Sequence, residues 1–362
     1  MRRPQGRSSA EWQPIGYLFI APALLLFLVF IFLPLFASLY LSFTEYNVIH
    51  APRWVGLQNF QTLLTADPRF WKALRNTVLY VIGVVPTGIA ISLLLAAALE
   101  ELTRGKQFFK VLYFIPTVTS VVAIAAVWKW LFAGEKYGLI NYGLVRLGLR
   151  PVDWLLSPTW VMPAIMIMSI WAGLGYNMVF FSAGISTIPS TLYEAAKVDG
   201  ANWWQRFWNV TVPMLRPTLT FVIVMGIISS FQVFDQVYIM TAGTGEGIGG
   251  VLDSGLTLVS YLYDQGFVKF RMGYASAIAY LIFGCVFGLT LVNLRKLRSG
   301  CGASDVAQAP AGGDRGDGPD AGGRGDDRAL LLDDRLLPQA ARGALHLPAG
   351  IHRPASHLQS VY

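Results

Sequence analysis

The sequence is poor in cysteine, histidine and charge. Its 362 residues hold two cysteines, Cys285 in an apolar run and Cys301 near the C-terminus. That excludes a disulfide framework and offers no metal-ligand spacing, so Cys285 reads as a small packing residue. The four histidines fall in loops or in the C-terminal tail. Charged residues make up only 14% against 54% hydrophobic, and none occurs between Asp153 and Glu194. An apolar run of roughly 40 residues is too long for an ordinary soluble core. The net charge of +7 gathers at the ends of apolar segments rather than along one stripe, which argues against nucleic acid. No G-x-x-x-x-G-K-[ST], H-E-x-x-H or G-x-S-x-G motif occurs. Catalytic and metal-binding residues are therefore expected to be absent, and any ATP must be bound by another chain. "GEGIGG" formally matches G-x-G-x-x-G, but it lacks a strand–turn–helix context and reads as a flexible turn.

What is present is membrane-spanning apolarity. The expected fold class is all-α, with six transmembrane helices over approximately Ile15–Tyr40, Val78–Leu99, Val111–Phe132, Trp160–Ile185, Thr218–Tyr238 and Ser276–Leu294. Helices are required because backbone groups in lipid must be satisfied within the segment. The first run is longer than a signal-peptide core and reads as a retained span. Arg2, Arg3 and Arg7 at one end and Arg295, Lys296 and Arg298 at the other predict that both ends of the domain are cytoplasmic. Arg69, Lys72 and Arg75 run against that rule, so orientation rests on the short loops and the ends. Lys129, between Trp128 and Trp130, reads as a snorkelling interfacial residue.

Between the fourth and fifth apolar segments stands "EAAKVDGANWWQRFWNVTVPMLRP", Glu194 to Pro217. Thr191 to Glu194 fits the S/T-x-x-E capping box, and Glu194 near a helix N-terminus suits the dipole. Gly200 suits a left-handed position ending one short helix. A second helix over "ANWWQRFW" follows, and Pro213 and Pro217 are expected to stop it. The sequence thus predicts a helix–turn–helix along the membrane face. The bland alternative is an interfacial anchor built on Trp203, Trp204 and Trp208.

E-A-A, three residues, G, nine residues, then aliphatic-x-aliphatic-Pro resembles the EAA loop of binding-protein-dependent ABC importer permeases. Here it reads Glu194-Ala195-Ala196, Gly200, Val210, Val212-Pro213, with Asp199 and Ala201 typical of the carbohydrate-uptake branch, the maltose/glycerol-3-phosphate type. "WVGLQNF", "DPRFWKALRNTVLYV", "SSFQVFDQVYIMTAGT" and "MGYASAIAYLIF" extend the resemblance from about Ile15 to Ser299. "TAGTGEG" departs from the family's TGGGP and leaves the loop after the fifth span open. The resemblance implies a permease domain over 15–299 after a cytoplasmic segment 1–14, with its EAA loop at 190–217. It further implies a second permease, two ATPase subunits using ATP and Mg, and an extracytoplasmic solute-binding protein. Glu194, Ala195, Ala196, Asp199, Gly200, Ala201 and Pro213 would contact the ATPase and move with it. No cofactor would be bound by this chain itself.

Substrate contacts are expected among polar groups at membrane depth, which are costly there. Ser229, Ser230, Gln232, Asp235 and Gln236 cluster in the fifth segment, and Gln232, Asp235 and Gln236 recur at i, i+3 and i+4, predicting one helical face. Tyr176 and Asn177 of the fourth segment could point to the same cavity. Beyond Ser299 the chain turns to Gly, Ala and Asp without apolar periodicity, which predicts a disordered tail over 300–362. GC-rich synonymous codons for "ALLLDDRLLPQAARGALHLPAGIHRPASHLQSVY", read one nucleotide later, encode a peptide resembling the beginning of a second sugar-transporter permease. That points to a frameshift near residue 300. Two other classes compete with an importer subunit. A secondary transporter acting alone should show repeats or several ionisable groups in its spans, and a membrane-embedded enzyme should show a catalytic motif.

Overall fold

Long apolar stretches oblige the backbone to bond to itself, and the chain is accordingly built of helices. The computed structural model describes the backbone of residues 14–306 except 103, 135, 136, 245 and 246, and side chains from 19 to 293 with the same exceptions. The chain divides into two units, Met1–Gln308 and Ala309–Tyr362, the second lying outside the described residues. The expected cytoplasmic segment 1–14 falls outside them up to residue 13, and the expected tail falls outside them from residue 307.

Helix α1 (Pro14–Phe27) and α2 (Leu33–Ser42) are joined by a π-helical turn, Leu28–Phe32. Two-residue strands β1 (Thr44–Glu45) and β2 (Arg53–Trp54) pair antiparallel, Thr44 opposite Trp54. Then come α3 (Gln58–Thr65), α4 (Pro68–Glu100), α5 (Lys106–Val118), α6 (Val121–Leu131), α7 (Leu139–Arg146) and α8 (Val161–Ser186). The segment between α8 and α12 holds α9 (Ser190–Val198), α10 (Trp203–Arg206), a π-turn at Phe207–Thr211 and α11 (Val212–Met214). The chain continues through α12 (Arg216–Phe231), α13 (Asp235–Thr241), α14 (Leu258–Tyr263) and α15 (Met272–Val306).

Among the described residues, Phe19–Ser42, Pro68–Glu100, Val161–Ser186 and Met272–Asn293 are long and apolar enough to cross a membrane. Two bent pairs raise that number from 4 to as many as 6 if each is one span. The sequence predicts one helical span in each region, and each pair is bent. At the third segment α5 and α6 meet at 97°. The Thr119 hydroxyl returns to the Ile115 carbonyl at 3.0 Å, and Thr119 and Ser120 lie in extended backbone, so the helical ladder is abandoned there. Ahead of the fifth segment the chain bends by 73° at Leu215, where α11 meets α12 and where the sequence expects the preceding helix to stop. It breaks again at Gln232–Phe234, and Thr257 Oγ1 donates to the freed Val233 carbonyl at 3.1 Å. The second span begins at Pro68 rather than Val78, because Asp67 caps it by accepting from Phe70 N at 3.1 Å.

Helix α4 packs along α8, and α5 also crosses α8. That crossing depends on Gly175, where a Cβ would stand 2.1 Å from the Tyr113 carbonyl oxygen. Three apolar clusters form the core: one around Met168, Val237 and Met240, one around Phe70, Tyr261 and Ile278, and one around Phe181, Phe207 and Leu215. Cys285 does not pack inward; it is exposed on α15, whose apolar surface extends around the helix. Lys129 donates to the Ala242 carbonyl at the end of α13, tying it to α6.

Candidate functional site

The 190–217 segment divides into an exposed half and a seated half. Helix α9 has no buried residue; Glu194, Ala195, Asp199 and Gly200 are exposed, Ala196 and Ala201 half-buried, and Val198 is 88% exposed. The helix ends as the sequence predicts, with Gly200 at φ 76 and no atom within 4 Å of where its Cβ would lie. Ala201 N donates to the Ala196 carbonyl at 2.9 Å and Gly200 N to Lys197 at 3.0 Å, closing a Schellman turn.

The capping box is not where the sequence places it. Helix α9 starts at Ser190 behind Pro189 and has no side-chain cap, so Thr191 already lies inside it. The box is one helix later: Gln205 N donates to Asn202 Oδ1 at 2.9 Å, and Asn202 N donates to Gln205 Oε1 at 2.8 Å. The tight Gly200 turn frees Asn202 to take extended backbone and cap α10.

Past that cap the segment is seated. Phe207 and Thr211 are each 4% exposed, four positions apart in the π-turn. Trp203 stacks on Phe207 with ring centroids 5.4 Å apart, while Trp204 and Trp208 remain exposed. Tyr193 reaches back so that its hydroxyl lies 3.0 Å from Thr211 Oγ1. Arg206 Nη2 donates to Glu101 Oε1 at 2.8 Å. Pro213, half-buried, sits in the first turn of α11, and Pro217 opens α12 rather than stopping the helix before it.

A second feature is a cavity of about 310 Å³ walled by α4, α6, α8 and α12 and by the α5–α6 bend. Tyr176, Asn177, Ser229 and Gln236 line it together, joined by Ser230. Gln232 and Asp235 are exposed and outside this lining. The predicted common face of Gln232, Asp235 and Gln236 does not exist, because α12 ends at Phe231 and α13 starts afresh at Asp235. Thr117 at the bend also lines the cavity, and its buried Oγ1 has no hydrogen-bond partner among the described residues. Sequence reading missed it, although the neighbouring Pro116 was the available signal for a bent helix. The described part of "GEGIGG" has positive φ at Gly247, Gly249 and Gly250, as a turn requires.

At the far end of α4 from the 190–217 segment, Arg69 and Asp67 tie this helix to the 251–274 stretch. The exposed helix–turn–helix and the Arg69 clamp thus stand at opposite ends of α4, and the cavity borders its middle.

Residues 88–297 match the family described as binding-protein-dependent transport system inner membrane component. The probable ABC transporter permease protein YesP of Bacillus subtilis (strain 168) is 38% identical over 290 residues, covering 80% of this chain and 92% of the relative. The lactose transport system permease protein LacF of Rhizobium radiobacter is 38% identical over 289 residues, covering 78% and 94%. A solved bacterial ABC transporter involved in importing the acidic polysaccharide alginate is similar in fold, with a TM-score of 0.69 and 23% identity over 79% of this chain and 95% of that one.

Proposed function

The chain belongs to the binding-protein-dependent transport system inner membrane component family, and from that premise we propose that it is one half of the translocation pore of an ATP-driven importer for a sugar or sugar derivative. It is a multi-pass membrane protein and a permease subunit, not an enzyme. In this reading a second permease completes the pore. Two ATPase subunits hold ATP and Mg, and an extracytoplasmic solute-binding protein delivers substrate. The importers named for lactose and for alginate among its relatives support the carbohydrate assignment.

One observation carries the coupling role: α9 exposes Glu194, Ala195 and Asp199 while the following turn is seated in the core. A lipid anchor would work through the exposed Trp204 and Trp208 and turn the carboxylates to water, whereas a coupling helix would offer Glu194 and Asp199 to a partner chain. Closure of the ATPase dimer would push α9, and the cavity lined by Tyr176, Asn177, Ser229 and Gln236 would alternate its opening. Basic residues Lys106, Lys110, Lys197 and Arg206 at the coupling end favour placing that end, with both domain termini, in the cytoplasm. The permease domain would span 15–299, and residues 300–362 carry no part of this function.

Purifying the tagged chain from its native host tests the reading. Co-purifying ATPase subunits that are lost from Glu194→Lys support it. Uptake by this chain alone, driven by an ion gradient, refutes it.

A further inference from the structure

We propose that Arg206 is the positioning residue that carries displacement of the coupling segment into α4 and so into the cavity wall. This rests on α9 being the ATPase contact. The guanidinium stands at a junction: Nη1 donates to the Ala201 carbonyl at 3.3 Å, immediately after the Gly200 turn, and Nη2 donates to Glu101 Oε1 at 2.8 Å. Glu101 is the C-cap residue of α4. One side chain therefore joins the turn that follows the exposed helix to the end of the longest described helix lying wholly within the span region.

The adjacent acid is committed elsewhere. Glu100 accepts from Lys106, from Lys110 at 2.8 Å and from Ser182, binding the end of α4 to α5 and α8. Glu100 thus holds the bundle together, while Glu101 reaches the moving segment. A cavity of about 400 Å³ lies beside the pair, bounded by Tyr193, Lys197, Trp203 and Phe207. That space borders the ion pair, while Phe207 on its far side packs against Leu93, Ala96 and Ala97 of α4, so the segment and the end of α4 move together.

Helix α4 then delivers the displacement. Tyr80, Val84, Val85, Gly88 and Ile89 on α4 wall the central cavity. At 1.5 Å per residue, Gly88 lies about 20 Å along the helix from Glu101. A helix behaves as a stiff element over that length, so a tilt imposed at Glu101 reaches the cavity. The Arg206 side chain is 15% exposed but the Glu101 carboxylate is 52% exposed, so in Arg206→Gln the freed carboxylate stays hydrated and an amide still faces the Ala201 carbonyl. Loss of the pair should spare the fold and change the coupling.

The test uses the transporter purified with its co-expressed ATPase subunits and reconstituted in liposomes. Val84→Cys in a Cys285→Ser, Cys301→Ser background reports on the cavity through its rate of labelling by a maleimide. The probes are nucleotide-free conditions and Mg-ATP with vanadate. In the parent complex the two rates should differ by about 5-fold or more. In Arg206→Gln, with ATPase subunits retained and melting temperature unchanged, that difference should vanish. The swapped pair Arg206→Glu, Glu101→Arg rebuilds the link to α4 but not the donation to the Ala201 carbonyl, and should restore part of it. An Arg206→Gln complex that keeps its subunits and its full labelling difference overturns the inference and leaves the coupling reading standing. One that loses its subunits makes Arg206 a docking anchor and overturns it as well. A parent complex that holds no ATPase, or shows no nucleotide effect, sinks the coupling reading itself.

Discussion

Arg69 grips Asp253 with two parallel bonds, Nε to Oδ2 at 2.9 Å and Nη2 to Oδ1 at 2.7 Å, while Nη1 holds Asp264 at 2.9 Å. The two acids come from a stretch more than 180 residues further along the chain. The clamp also supports an unusual backbone. Leu252 and Asp253 lie at φ 51 and 55, a left-handed conformation that costs an L-residue roughly 1–2 kcal/mol. Lys72 donates to the Leu252 carbonyl and Asn76 to the Asp253 carbonyl at 3.0 Å, so the first turns of α4 hold that pair of residues in place.

Arg69→Leu should therefore destabilise the protein by about 2–3 kcal/mol, since two partly buried carboxylates lose a charged donor. Thermal unfolding in detergent measures it. Leu252→Gly, which removes the cost of a left-handed side chain, should offset about 1 kcal/mol of that loss when added to Arg69→Leu.

Asp67 makes stability at that end depend on pH. Burial raises its pKa, but donation from Tyr261, Tyr274 and the Phe70 amide outweighs burial and holds the carboxyl below its ordinary value of 3.8. A depressed carboxyl pKa adds stability that is present above 3.8 and lost as pH falls through the lower folded value. Burial, then the hydrogen bond to Asp67, raises the Tyr261 pKa above its usual 10.0. That contribution is present below pH 10.0 and lost as pH rises through the folded value. Unfolding midpoints should show a plateau between these limits, and Asp67→Asn should flatten the acid limb.

The turn before Arg206 should be sensitive to backbone conformation and indifferent to bulk. Gly200→Val should cost roughly 1 kcal/mol or more through φ alone, because space around the Cβ is open. Gly200→Asn should be nearly neutral, since asparagine tolerates the left-handed region. Asn202→Ala should cost about 1 kcal/mol by removing the cap of α10. ATPase retention by the three variants, measured after detergent washing, should follow the same order.

Substrate recognition should follow the cavity rather than the sequence spacing. Asn177→Ala and Gln236→Ala should raise the half-saturating substrate concentration by roughly 5- to 150-fold, the equivalent of one or two lost hydrogen bonds. Gln232→Ala and Asp235→Ala, on side chains outside the lining, should change it by less than about 2-fold. Thr117→Val should behave like the cavity pair, because its hydroxyl has no partner among the described residues until a ligand supplies one. Equal effects in both groups would rule out this cavity as the binding site.

The sequence by itself determined whatever depends on neighbours along the chain. Uncharged runs specified helices, because a backbone in lipid can be satisfied only locally. Gly200 specified its turn, because only a residue without a Cβ takes φ 76 cheaply. The spacing around Glu194 was likewise legible, since a short exposed helix keeps its own pattern. Contacts distant in sequence were not legible. The break between Gln232 and Asp235 exists because Thr257 takes up a freed carbonyl, and Gln236 meets Tyr176 and Asn177 in one lining only after that break re-aims it. The capping box expected at Thr191 is absent because α9 starts at Ser190 behind Pro189 and takes Thr191 into the helix, while the box at Asn202 belongs to α10. The clamp on Arg69 and the bridge from Arg206 to Glu101 join residues more than 100 positions apart. Only the packing of α4 against its neighbours brings those charges together, and no local periodicity records it.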